Sequence, residues 1–509
     1  MSFPQMRYRA KMRAMNASDL LSPMLIPLLP ILAGFAVRLL PGRYSRVVPW
    51  CAASACFFSL LLMTVPQATD GMWLRLDTLS SVMVVLVSFL GAVVTRFAVR
   101  YLQGDPQRSR FLMWMSFTLA SVLTLVSANH LLLLALAWLT TSLCLHRLLL
   151  HHPERPGAVF AARKKFVFSR LAETSLLIAV LVLHANYGTW RIDELMERVG
   201  SGQHLGLMTP AMLIALCAML KSAQFPFHSW LPDTMETPTP VSAFMHAGII
   251  NGGGFLVLRM SPVLAASPIS LHLLVIIGSI TAAFGAIVML AQPGVKRSLA
   301  FSTIAQMGFM MVQCGLGAWG LALLHLVAHS LYKAHAFLHA GSTIGATPRA
   351  AVPLTHRALG LGLVAGATMV VMATKVFHGN LPTTPEVPWV FHVILVFAIA
   401  YGFARAWSAH RSTLVRALLV SASIVVAALI LHVVAGSVLS GYVSYDAPLA
   451  LKLWIAVVFG GLFLFQSMIW RASNHPWGRK LYIHALNGFY VGTLANRFLG
   501  RMWPTRKIS

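Results

Sequence analysis

Residues 221–254 read KSAQFPFHSWLPDTMETPTPVSAFMHAGIINGGG. A lysine, two acids and four prolines are gathered here inside a strongly apolar chain. Pro226 and Pro232 each remove a backbone donor and interrupt the helix that the preceding apolar residues would otherwise continue. Whether this stretch is a water-exposed loop or a break at membrane depth decides the fold, and the flanking sequence answers it.

Of the 509 residues, 58% are hydrophobic and 10% are charged, whereas a water-facing surface carries roughly 25–35% charged side chains. Apolar stretches of about 20 residues, long enough to cross a bilayer as helices, recur from one end of the chain to the other. The expected fold is all-α, a polytopic membrane helix bundle of about fifteen spans. They lie near 20–40, 47–65, 77–101, 110–128, 131–150, 159–185, 206–225, 239–261, 269–291, 297–315, 319–345, 357–378, 389–408, 413–440 and 449–470. A basic N-terminal segment (1–19) precedes the transmembrane domain (20–472), and a basic tail (473–509) follows it. The first apolar stretch, LLSPMLIPLLPILAGFAVRLL, is too long for a secretory leader and lacks its small-residue cleavage site, so it is expected to stay in the mature protein.

The net charge of +26 would suggest nucleic acid in a soluble protein. Here the bases are scattered over short loops, as the positive-inside bias requires, and no nucleic-acid partner is expected. Arg96, Arg100, Arg108 and Arg110, then Arg147, Arg155, Arg163, Lys164 and Lys165, then Lys296, Arg297 and the tail fall on one side, which should be cytoplasmic at the inner membrane. The N-terminal bases Arg7, Arg9, Lys11 and Arg13 conflict with this count: either a span is miscounted, or they translocate, or translation begins at Met12 or Met15. The tail's aromatics beside Arg and Lys suit an amphipathic segment at the cytoplasmic headgroups or a partly disordered basic end. The five cysteines show no CxxC spacing and no His/Cys cluster, which argues against a disulfide framework, an iron–sulfur cluster or a cysteine zinc site.

Three groups of polar residues in apolar surroundings carry chemistry. Lys221 sits on the order of 24 Å along its helix, with apolar sequence beyond it. It either snorkels to an interface or is buried beside the break, where freed carbonyls line a wet cavity and transporters place ion sites. His246, beside Ala243, Ala247 and Gly248, follows on the next span. In GLALLHLVAHSLYKAHAFLHAGSTIGA (320–346), His325, His329, Lys333, His335 and His339 all fall on one half of a helix, a file that could pass protons. His325 and His329, four residues apart, could also bind a metal, but no carboxylate or thiol is close in sequence, so no metal site is expected in this chain. In FVFSRLAETSLLIAV (166–180), Arg170 and Glu173 can pair across one helical turn. Glu173 either simply neutralises Arg170 or sets the charge state of Lys221 from a neighbouring helix.

KSAQFPFHSWLPDTMETPTPVSAFMHA, VKRSLAFSTIAQMGFMMV and HLVAHSLYKAHAFLHAGS, in this order, resemble the antiporter-like membrane subunits of respiratory complex I and of Mrp-type cation/proton antiporters, most closely subunit L. The match covers roughly residues 70–345. The resemblance implies two inverted repeats, each with a broken helix, and a central proton path on which Lys221, His246, Lys296, His325, His329 and Lys333 fall, with Lys375 in ATKVFHG as the candidate for the later broken-helix lysine. One departure is clear. Where the respiratory subunits carry a Trp-Glu pair on the fifth span, this chain has Leu139 after Trp138.

HSLYKAHAFLHAGS, the length and the tail LYIHALNGFY resemble the DabB family, membrane subunits of two-part inorganic-carbon accumulation systems. That resemblance implies a subunit carrying protons or sodium, not itself an enzyme, with a DabA-like partner on the cytoplasmic side that holds zinc and hydrates CO2 to bicarbonate. The other readings are a respiratory or Mrp-type antiporter subunit, and a non-conducting membrane anchor for a partner enzyme, which the missing acid at 139 favours.

Overall fold

A computed structural model describes residues 17–40, 45–63, 71–203, 206–343, 355–380, 388–407, 411–438, 445–472 and 475–503. The segment 1–16, with the N-terminal bases, lies outside them.

In chain order the helices are α1 (Ala17–Leu39), α2 (Val47–Met63), α3 (Thr78–Tyr101), α4 (Arg108–Ser127), α5 (Leu131–Leu149), α6 (Pro156–Tyr187), α7 (Ile192–Gly200) and α8 (Met208–Lys221). After the break come α9 (Trp230–Asp233), α10 (Thr239–Ala247), α11 (Gly252–Arg259), α12 (Ser261–Ala265), α13 (Pro268–Ala291), α14 (Val295–Gly315) and α15 (Trp319–Leu338). The chain continues through α16 (His356–Asn380), α17 (Trp389–Trp407), α18 (Arg411–Val438) and α19 (Leu449–Ala472), and ends in α20 (Pro476–Leu486) and α21 (Val491–Met502). Among the described residues there are isolated β-bridges but no strands. Each segment expected to span overlaps helix, but among the described residues nine stretches, short of the about fifteen expected, are long and apolar enough to cross a membrane by length and composition. The chain is a multi-pass membrane protein.

The segment expected as one span at 239–261 is two short helices, because Gly248 and the run Gly252 to Gly254 favour a turn of 3₁₀ helix at Ile249–Asn251 over a continued α-helix. Glycine also sets the closest helix pairing. A Cβ on Gly308 of α14 would lie 2.5 Å from the Ala282 backbone nitrogen of α13, so only glycine lets these two backbones meet. The apolar core runs from α1 to α15, and smaller clusters join α16 to α19 at its edge. At the end of α3 away from Arg96 and Arg100, Arg259, at the end of α11, clamps Asp77, the N-cap of α3. Burial pushes the Asp77 carboxyl up, but Arg259 and the Ser80 amide outweigh it and hold it below the usual carboxylate range.

Two sequence expectations change here. Lys164 and Lys165, counted above with the bases of the cytoplasmic side, are on α6 and buried. The second broken helix is absent from its expected place: α16 runs through Lys375 without interruption, and Lys375 is exposed.

Candidate functional site

The helix α8 ends at Lys221, whose side chain is 7% exposed. It does not snorkel. The break that follows keeps its backbone satisfied locally: Ser222 N donates to Ala218 O, Gln224 N to Met219 O, and Phe225 N to Thr281 Oγ1 on α13. Ser222 Oγ donates to Ile250 O at 2.8 Å, pinning the break to the second one between α10 and α11. Gly253 makes this approach possible, since a Cβ there would lie 2.2 Å from Ser222 Oγ.

Around Lys221 three helices converge. Its Nζ lies 4.9 Å from the centre of the Trp138 ring on α5, at a cation–π distance. From α6, Glu173 pairs with Arg170 at 2.6 Å, and Lys165 donates to Ser142 O and Oγ at 2.7 and 2.8 Å. Trp138, Lys165, Glu173 and Lys221 line one cavity. Glu173 therefore faces both Arg170 and Lys221. Three bases share one carboxylate, so every proton gained or lost changes a charge balance that is expensive in low dielectric.

A second cluster lies on α10, α14 and α15. His246 is fully buried, with Nδ1 3.0 Å from Thr303 Oγ1 and its ring stacked on Phe337 at 4.4 Å. Lys333 is fully buried and donates to the Leu299 carbonyl at 3.0 Å. His329, buried beside it, and His246 lie within electrostatic reach of one another and of Lys333. His325 completes the row, its ring 5.9 Å from that of His329 and its Nδ1 2.8 Å from Gln313 Oε1. Asn251 ties the turn beside the first cluster to the helix that carries the second: next to Gly252, which packs on Lys221 and Trp138, it donates from Nδ2 to Ser330 Oγ on α15 at 2.7 Å and to Ala247 O at 3.0 Å.

The structure thus brings together Arg170, Glu173 and Lys221 in one group and His246, His325, His329 and Lys333 in another. Lys296 is not in either; it is half-buried at the start of α14. Lys375 stands exposed on α16, and His335 and His339 stack on each other at the exposed face of α15, so the file of five shortens to His325, His329 and Lys333. Lys165 and Asn251 belong to the site although the sequence does not single them out. Lys165 lies eight residues before Glu173, on the same helical face, and that register was the available signal. Asn251 had none, because its role depends on a break read as continuous helix.

The transmembrane family described as "NADH:quinone oxidoreductase/Mrp antiporter, TM" matches residues 128–357, and the "NADH-Ubiquinone oxidoreductase (complex I), chain 5 N-terminus" family matches residues 64–112. The probable inorganic carbon transporter subunit DabB of Hydrogenovibrio crunogenus is 38% identical over 459 residues, 87% of this chain and 86% of the relative. The chain belongs to the DabB family of antiporter-like membrane subunits. DabB2 of Halothiobacillus neapolitanus is also 38% identical, over 85% of this chain and 81% of the relative. NADH-quinone oxidoreductase subunit L of Mycobacterium tuberculosis is 33% identical over 66% of this chain and 59% of that protein. A chain of the Mrp complex from Dietzia sp. shares the fold, with a TM-score of 0.65 over 97% of this chain and 61% of that one at 24% identity. This DabB-family chain is an ion-translocating membrane subunit and not an enzyme. With leucine at 139, the carboxylate that shares a cavity with Lys221 is Glu173 on α6.

Proposed function

We propose that this chain conducts protons through the Lys221 and Lys333 clusters, and that this flow energises accumulation of inorganic carbon by a complex with a DabA-like partner. The partner carries zinc on the cytoplasmic side and hydrates CO2 to bicarbonate; the membrane chain supplies the driving force. The observation that carries the reading is the pair of buried titratable clusters, on elements tied together by Asn251, for which a passive anchor has no use. Uncompensated buried charges cost a membrane protein several kcal/mol. The identity to DabB relatives over most of the chain favours inorganic carbon over a respiratory role.

The bridge itself is open to test. Asn251→Leu removes two hydrogen bonds worth about 1 kcal/mol each and separates the clusters by an apolar side chain. Coexpressed with the partner in a host lacking carbonic anhydrase, the variant should insert normally yet slow growth in air severalfold. Growth equal to wild type at matched expression would show that protons do not pass this point.

The division of labour predicts where zinc is found. Activating water takes three protein ligands and an open position on the metal. One group among the described residues approaches this arrangement: Asp105, His151 and His152 place their ligand atoms within 4.8 Å of one another. It sits on loops, and His151 Nε2 is already engaged with Asp105 Oδ2 at 2.9 Å, clamping the α3–α4 loop to the end of α5. The isolated subunit should contain far less than one zinc per chain by elemental analysis, and the copurified complex at least one. Stoichiometric zinc in the isolated subunit would contradict this, and its loss in His152→Ala or in His329→Ala would tell the loop group from the row on α15.

A further inference from the structure

Outside the two clusters a large groove opens between α2 and α3, at the end of the bundle where the basic loops lie. It holds about 940 Å³, near the top of the roughly 300–1,000 Å³ that small-molecule sites span. Its rim carries Arg46, Arg96, Arg100 and Arg108 with no carboxylate among the described lining residues, and its wall is apolar, built by Trp50, Phe89 and Val93. Arg96 and Arg100 are four apart on α3, a spacing at which like charges repel. Arg108, at the start of α4, keeps its Nε buried without a hydrogen-bond partner. The nearby acid, Asp105, is bound to His151.

We infer that this groove binds an anionic phospholipid, with its phosphate among the four arginines and its acyl chains along Trp50, Phe89 and Val93. Charge complementarity selects the headgroup: basic pockets between transmembrane helices on the cytoplasmic side suit acidic lipid. The wall selects lipid over a soluble partner. Phe89 and Val93 lie within the membrane-spanning part of α3, two and one helical turns deeper than Arg96, where only acyl chains reach. Four arginines further favour a headgroup with two phosphates, of the cardiolipin type, over one with a single phosphate.

The test is native mass spectrometry and thermal unfolding of the detergent-purified subunit with added cardiolipin, phosphatidylglycerol, phosphatidylcholine or inorganic phosphate. Cardiolipin should remain bound and raise the unfolding temperature, phosphatidylglycerol less so, and phosphatidylcholine not at all. The double variant Arg96→Gln/Arg100→Gln should lose at least tenfold in retained cardiolipin. Val93→Trp, which fills the apolar wall and leaves every arginine in place, should lose lipid as well. If inorganic phosphate stabilises as much as cardiolipin and Val93→Trp has no effect, the groove is an ion site and the lipid assignment falls. Equal retention of cardiolipin by wild type and the double variant would overturn it as well. Should the double variant misfold, Val93→Trp together with the lipid series still decides.

Discussion

Lys221→Ala and Lys333→Ala should each reduce carbon-dependent growth in air to the level of a strain lacking the subunit, while the protein still inserts and binds its partner. Both substitutions remove a buried amine from a protein that would be easier to fold without it, so loss of function cannot be put down to loss of a stabilising contact. Lys221 faces the Trp138 ring and the Glu173 cavity, and Lys333 holds only the Leu299 carbonyl by hydrogen bond. Neither fills a structural ion pair among the described contacts. Growth is read in a host without carbonic anhydrase at ambient CO2, with membrane levels matched by immunoblot and high CO2 as the permissive control. Normal growth of both variants would leave the chain as a membrane anchor.

Glu173→Gln should have the next largest effect. The substitution preserves size and one hydrogen-bonding oxygen but removes the single negative charge among Lys165, Arg170 and Lys221. Opposite charges about 4 Å apart interact by roughly 4 kcal/mol at the effective dielectric of a protein, and about 1.4 kcal/mol is a factor of ten in an equilibrium. A loss of tenfold or more in carbon uptake is therefore expected, with expression unchanged. Glu154→Gln is the control, because Glu154 is exposed and pairs with His152 on a loop. If the two variants behave alike, Glu173 only neutralises Arg170.

Periodicity made the helices legible. A stretch of twenty apolar residues has few alternatives at membrane depth, so segment after segment falls where hydropathy places it. The prolines at 226 and 232 likewise announced the first break. Tertiary placement was harder to read. Lys164 and Lys165 follow Arg163 in a basic run at the start of the span expected at 159–185 and count with the loop bases, yet α6 extends back to Pro156 and carries both lysines inside: Lys164 meets Asp233 at 2.8 Å and Asn496 of α21 at 2.6 Å, and Lys165 meets Ser142. The partners come from distant sequence, so no local pattern could show that these charges are satisfied when buried. His335 and His339 illustrate the reverse, since helical phase puts them on the histidine half of α15 while its packing leaves them outside. Angle alone does not say where the covered arc of a helix stops.

The most direct test of the central claim is proton movement itself. The purified complex, reconstituted into liposomes enclosing a pH-sensitive dye and placed under an imposed proton gradient with CO2 supplied, should acidify the lumen faster than empty liposomes. Complexes carrying Lys221→Ala or Lys333→Ala should fall to the empty-liposome rate. Equal proton flux through wild type and both variants, or flux that follows a sodium gradient and ignores the proton gradient, would contradict a proton path through these two lysines.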